Sequence, residues 1–190
     1  MSEVKTKTKN QSLQTEKTRR LVLAALMAAL TYVGTMIIKI PTPTNGYIHP
    51  GDGFVLLSGV LLGPVWGSLA AAIGSSMSDL IAGYFVYVPA TFLIKGATAL
   101  VASLIFKSLA KIFENKKNVI KIVIAGIIGE LVMVTGYFVF EIFVLAAGQD
   151  SGLVAGVAAA AAGIIPNIIQ GIFGVVISAT LYPLLSRLYK

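Results

Sequence analysis

No cysteine occurs in this chain of 190 residues, which excludes a disulfide framework, a thiolate metal site and a cysteine nucleophile. Histidine is almost as scarce, and His49 alone cannot supply a His-rich metal cluster. Charge is thin as well. Only 12% of residues are charged against 56% hydrophobic, where soluble domains carry about 25% charged and about 45–50% apolar residues. That balance is a poor fit to a water-soluble enzyme and expects lipid as the main solvent. Catalytic signatures are missing too. There is no G-x-x-x-x-G-K-[ST] for ATP phosphates, no G-x-S-x-G, and no histidine inside an apolar segment to serve a serine. The chain therefore reads as a non-enzyme, without its own ATPase site, metal or cofactor. An evident inverted repeat or pair of broken helices, as in self-sufficient secondary transporters, is also absent from the sequence.

What charge there is has a pattern. Residues 1–17 are polar with no apolar run, and are expected to form a disordered tail and not a signal peptide. A second cluster, Lys107, Lys111, Lys116, Lys117 and Lys121, surrounds the hydrophilic break FENKKN. A spanning helix needs about 20 mainly apolar residues at roughly 1.5 Å each. Applied to residues 18–190, taken as one membrane domain, that ruler predicts six transmembrane helices in an all-α integral membrane protein. They run over about Thr18–Ile40, Asp52–Leu62, a third ending near Gly83, Ala90–Ile112, Val119–Ala147 and Pro166–Leu188. The second is short for a span. The stretch VAGVAAAAAG before Pro166 reads as a short helix on the outer surface.

Six spans put both termini on one side, and the positive-inside rule makes that side cytoplasmic. Only Lys39 and Lys95 of the 15 basic residues then remain for the outer half. The net charge of +7 is on this reading a consequence of topology, with anionic lipid as a compatible partner for the tail and no nucleic acid required.

Ionisable and amide groups inside apolar segments are the informative ones, because each costs several kcal/mol unless paired. Asp52, Asp79, Lys95, Glu141, Asn167 and Gln170 are all expected in the outer third of their helices, with Glu130 deeper. Thr91, Lys95 and Thr98 share one helical face, as do Glu130, Tyr137 and Glu141, and as do Asn167, Gln170, Gly174 and Ser178. Two readings stay open. The polar faces converge on a ligand site, or they are interhelical glue such as a buried Lys95–carboxylate pair. In the loop YIHPGD, His49 stands three residues before Asp52, and Tyr47, Tyr84, Phe85 and Tyr87 lie on the same outer side. Those rings suit stacking on a planar ligand, or a membrane-interface belt. On the first helix, AALMAAL spaces Ala24 with Ala28, and Ala25 with Ala29, for close helix approach, either within the bundle or to a partner subunit.

The segments YIHPGDGFVLLSGVLLGP, GSSMSDLIAGY, PATFLIKG, the stretch from Glu130 to Glu141, and PNIIQG together resemble the S-components of energy-coupling factor (ECF) vitamin transporters. The likeness covers about Arg20 to Leu188 and is nearest to the branch for hydroxymethylpyrimidine, pyridoxine and, in some members, cobalamin. It implies a multi-pass protein of the bacterial cytoplasmic membrane with an outward-facing vitamin site. His49, Asp52, Lys95, Glu141, Asn167 and Gln170 would border that site, with Tyr84 and Tyr87 as aromatic contacts. It also implies a transmembrane coupling subunit packed on the Ala24–Ala28 seam, and two cytoplasmic ATPase subunits. A stand-alone carrier or channel, and an intramembrane enzyme using the buried carboxylates, are the other classes the residues admit. Pyridoxine or hydroxymethylpyrimidine is expected ahead of cobalamin, because carboxylates suit ring N–H donors and the amides can read hydroxyls.

Overall fold

The computed structural model describes residues 2–113, 118–148 and 152–188. Lys116, Lys117, Lys190 and most of the GQDSG loop lie outside the described residues. The elements are α1 (Ser2–Ile37), β1 (Ile40–Pro41), β2 (Tyr47–Ile48), α2 (Asp52–Leu62), α3 (Pro64–Ala82), α4 (Val88–Ile112), α5 (Asn118–Gly148), α6 (Gly152–Ala160) and α7 (Ile164–Leu188). Where the sequence predicts a disordered tail, α1 extends back to Ser2.

The fold is an all-α bundle, but the expectation of six spanning helices is not met. Among the described residues four helical stretches are long and apolar enough to cross a membrane: Gln14–Ile37, Val88–Ile112, Asn118–Ala147 and Gly152–Arg187. The two that fail do so for different reasons. At 11 residues, α2 rises only about 16 Å, half of a bilayer's hydrocarbon core. The 19 residues of α3 reach far enough, but Ser68, Ser75, Ser76, Ser78 and Asp79 lower their apolarity. Gly63 (φ 85°), in a conformation that favours glycine, turns one directly into the other. The Ala-rich stretch, expected as a separate surface helix, instead continues through a 3₁₀ turn at Ala161–Gly163 into α7.

Small residues set the packing. The short α2 lies inside the bundle against α1, α3, α4 and α7. Gly59 makes this work: a Cβ there would collide with the Ala99 carbonyl oxygen of α4, so any side chain would force the helices apart. The main apolar core joins Met27, Leu57, Ala70 and Ile122, with Trp66, Phe106 and Tyr182 packed around it. Hydroxyls inside α1 are satisfied locally, Thr31 donating to the Met27 carbonyl at 2.9 Å and Thr35 to that of Thr31 at 2.8 Å, as an interior without water requires.

At the opposite end from that core, PTPTNG forms a β-hairpin. Ile40 pairs with Ile48 and Pro41 with Tyr47, and Asn45 takes the left-handed conformation (φ 61°) that the tight turn demands. The hairpin lies across the bundle where the polar faces of α4, α5 and α7 meet.

Candidate functional site

The deepest part of the polar cluster is an ion pair. Asp52, in the first turn of α2, receives a hydrogen bond from Lys95 Nζ of α4 at 2.6 Å, with both side chains fully buried. Its second oxygen accepts from Gln170 Nε2 of α7 at 2.7 Å. Gln170 in turn accepts from the His49 backbone N–H at 2.9 Å, and His49 Nδ1 accepts from the Gly51 N–H at 3.1 Å. Three helices and the loop before α2 are thus tied through one carboxylate. Burial holds the His49 imidazole neutral, lowered to about 3 despite the opposing pull of Asp52.

Above this pair lies a cavity lined by Tyr47, His49, Ser75, Asp79, Tyr84, Tyr87, Thr91, Tyr137, Glu141, Asn167 and Gln170, together with Thr42 and Gly46 of the hairpin. The room left inside is about 30 Å³, enough for about two water molecules and too little for a ring. Hairpin side chains occupy the rest. Thr44 donates to Glu141 Oε1 at 2.8 Å, Tyr87 donates to the Thr44 carbonyl at 2.6 Å, and Tyr47 donates to Asp79 at 2.7 Å. The phenols of Tyr47 and Tyr87 are held above their ordinary range, chiefly by burial and next by the carboxylates Asp79 and Glu141 respectively, so both remain donors. Rings of Tyr47 and Tyr84 stand 4.9 Å apart, and those of Tyr87 and Phe140 5.3 Å apart, forming an aromatic wall.

The left-handed Gly83 (φ 83°) ends α3, and Tyr84 N–H then reaches back to the Asp79 carbonyl at 2.8 Å. That turn aims Tyr84 and Tyr87 at the cavity.

Of the residues expected at the site, His49, Tyr84, Tyr87, Glu141, Asn167 and Gln170 line this one cavity. Asp52 and Lys95 sit behind it as a closed pair, which realises the pairing alternative for that lysine. Ala24 is buried in the core beside Met27 and Leu57, while Ala25 and Ala29 of the same motif are exposed. Sequence reasoning overlooked Thr42, Thr44 and Ser75. The Asn-Gly turn between two short apolar pairs was the available signal for the hairpin, and the four-residue spacing of Ser75 and Asp79 was the signal for a shared face.

The cavity has an acidic lining that carries no lysine or arginine of its own. Asp79 and Glu141 face it, and its nearest deep cation is already bound to Asp52. Ser75 Oγ and Glu141 Oε2 are buried and have no hydrogen-bond partner among the described residues. No group of three or more metal-binding side chains occurs among the described residues.

A family model described as "ECF-type riboflavin transporter, S component" matches residues 15–187. Two solved structures share the fold. The S component described in "Structure and mechanism of the S component of a bacterial ECF transporter" superposes with a TM-score of 0.69 at 24% identity, covering 92% of this chain and 99% of that one. An S-component for biotin from an ECF-type ABC transporter superposes with a TM-score of 0.57 at 20% identity, covering 89% and 93%. A relative from Pyrococcus woesei, an "Uncharacterized protein in gap 3'region", is 34% identical over 106 residues, which are 55% of this chain and 66% of that protein. The match thus spans just under two thirds of that relative's length.

Proposed function

The chain belongs to the ECF-type riboflavin transporter S-component family, and on that premise we propose that it is the multi-pass vitamin-binding subunit of an ATP-driven importer in a bacterial cytoplasmic membrane. Its partners on this reading are a transmembrane coupling subunit and two cytoplasmic ATPase subunits. The substrate is a small, planar, hydroxylated nitrogen heterocycle, with pyridoxine or hydroxymethylpyrimidine ahead of cobalamin.

One observation carries the site assignment. Ser75 Oγ and Glu141 Oε2 line the same cavity, buried and without a partner among the described residues, and such unmet groups call for a polar ligand, one that donates to the Glu141 oxygen and gives or takes a hydrogen bond at the Ser75 hydroxyl. Glu141 would take a ring N–H or hydroxyl, Asn167 would read a hydroxyl, and the Tyr84 and Tyr87 rings would cover the flat face. Two facing carboxylates and no free cation among the lining residues disfavour a phosphorylated vitamin. Gln170, held by Asp52, would present a fixed amide edge, so Asp52 and Lys95 act through it.

With room for about two waters inside, a ring enters only after the Thr42–Gly46 turn moves outward and the Thr44–Glu141 and Tyr47–Asp79 hydrogen bonds part. The cover and the binding wall are therefore linked. On α1 the coupling subunit would meet the outward Ala25 and Ala29 together with half-buried Ala28, since Ala24 is committed to the core.

Titration of the purified chain with pyridoxine, hydroxymethylpyrimidine, riboflavin and cobalamin tests the reading. Tight binding of either small heterocycle, weakened about ten- to hundredfold by Glu141→Gln or Asn167→Ala, supports it. Tight cobalamin or riboflavin binding with no response to the smaller rings refutes the substrate order. ATP-dependent uptake that requires the partner subunits supports the importer assignment, and uptake by the chain alone refutes it.

A further inference from the structure

The end of the bundle opposite the hairpin carries a hollow that the proposed vitamin site does not use. Its volume is about 430 Å³, within the range of ordinary small-molecule sites, about 300–1,000 Å³. Arg19 and Arg20 of α1, Lys107 of α4 and Trp66 of α3 line it, with Glu16 as its carboxylate. Lys95–Asp52 is the one ion pair among the described residues, so none of these three cations is closed on a carboxylate there. Gly63 joins α2 to α3, and a Cβ on it would stand 3.3 Å from Lys107 Nζ, which puts the ammonium directly over the turn. At that turn the carbonyl end of α2 meets the amide end of α3, and their opposed partial charges offset each other. Side-chain charge therefore sets the sign of the hollow, and three cations against one carboxylate make it positive.

Depth places the hollow at a membrane surface. Arg20 precedes Ile37, the last residue of α1, by 17 residues, about 26 Å along the helix. Lys107 follows Val88, the first residue of α4, by 19 residues, about 28 Å. Both distances nearly match a hydrocarbon core of about 30 Å, so the cations stand at headgroup level when the hairpin end lies at the other surface. Trp66 is then at the depth where indole rings anchor. Leu21, Val22 and Val65 next to these residues are exposed. A second hollow of about 510 Å³ shares Glu16, Arg20 and Trp66 with the first and adds Leu21.

We propose that this basic hollow is a binding site for an anionic phospholipid, whose phosphate is held by Arg19, Arg20 and Lys107 while its acyl chains lie along Leu21, Val22 and Val65. Guanidinium groups match phosphate oxygens in geometry as well as in charge. A zwitterionic lipid brings an ammonium group against the same cations and is disfavoured. A free phosphate ester shares the headgroup's chemistry but has no apolar part to cover the exposed side chains. The site differs from a general attraction of the polar N-terminal segment to anionic lipid, because it is a hollow built by three helices and the turn at Gly63. The proposal rests on the membrane-spanning reading of the chain and not on which vitamin it binds.

The test uses the full purified chain in detergent micelles, equilibrated with equal amounts of phosphatidylglycerol and phosphatidylcholine, and native mass spectrometry reads which lipid stays bound. Phosphatidylglycerol should be retained in preference. Each cation near a lipid surface is worth roughly a fivefold preference, so Arg19→Gln with Arg20→Gln should lower it about ten- to thirtyfold, and Lys107→Gln alone about fivefold. Lys5→Gln with Lys7→Gln makes the same change of charge in the polar segment and should alter the preference by less than about twofold. Photoreactive phosphatidylglycerol should attach to the peptide that holds Trp66. Arg19, Arg20 and Lys107 are exposed, so their glutamine variants should keep the fold, which thermal unfolding checks. Any one of four results overturns the proposal: no preference in the native chain, equal losses in the two double variants, attachment only at other peptides, or displacement of the lipid by equimolar glycerol phosphate. Vitamin titration is a separate measurement, so failure here leaves the polar cavity's assignment untouched.

Discussion

Replacing Lys95 by methionine keeps most of the side chain's length and removes its charge. In the native protein Nζ stands 2.6 Å from Asp52 with both side chains fully buried, and 5.2 Å from the centre of the Tyr137 ring. The variant leaves Asp52 with the Gln170 amide at 2.7 Å but without a cation. Breaking a buried pair from one side typically costs about 3–5 kcal/mol, because the orphaned charge stays desolvated, whereas removing both charges is often close to neutral. Lys95→Met should therefore lose stability in that range. Asp52→Asn combined with Lys95→Met should recover most of it, since the substituted amide oxygen still offers Gln170 an acceptor. Equilibrium unfolding of the four proteins in mixed micelles closes the double-mutant cycle, with a coupling of at least about 1 kcal/mol expected. Losses that simply add would refute the pairing argument. A double variant that folds like the native protein but no longer binds vitamin would show that the pair touches ligand directly and does not act through Gln170.

Other outcomes follow from the same geometry. Thr44→Val removes the donor to Glu141 Oε1 and should free the hairpin, so stopped-flow titration should show faster ligand association and dissociation; unchanged rates would mean that the hairpin does not cover the cavity. His49 has a folded-state value of about 3, below its ordinary 6.5, so its neutral form contributes stability that is full above about pH 6.5 and is lost as pH falls toward 3. The stability difference between native protein and His49→Gln should shrink on acidification across that window, and a flat difference would contradict the buried neutral imidazole. Ala29→Trp should leave folding and vitamin binding intact while blocking co-purification of the coupling subunit. Ala24→Trp should instead destabilise the chain itself, because Ala24 is 8% exposed within the core; the reverse pattern would put the seam on the other face.

Much about this protein is legible from residue order alone, and the reason is that lipid simplifies the physics. Apolar runs and the breaks at FENKKN and PTPTNG mark helices because backbone polar groups in a bilayer must be satisfied within the segment. Helical phase brings Thr91 and Lys95, Tyr137 and Glu141, and Asn167 and Gln170 to inward faces, since a polar side chain turned toward lipid is penalised. Depth is legible too, because rise per residue is constant. Partner choice is not. Several acids compete for Lys95 by depth, and only the packing of short α2 at the bundle centre, allowed by Gly59 against Ala99, selects Asp52. Glu130 shares a helical face with Glu141, yet 11 residues along α5 carry it about 16 Å away, out of the cavity that Glu141 lines and down to the level of Asp52 beside Gly174. The count of spans also depends on tertiary structure, because α2 is apolar enough for lipid but is buried by its neighbours and never needs to cross. Sequence thus determined which residues must avoid lipid and how deep they lie. Tertiary structure decided which of them meet, because contacts across helices depend on side-chain volumes that no periodicity along a single helix contains.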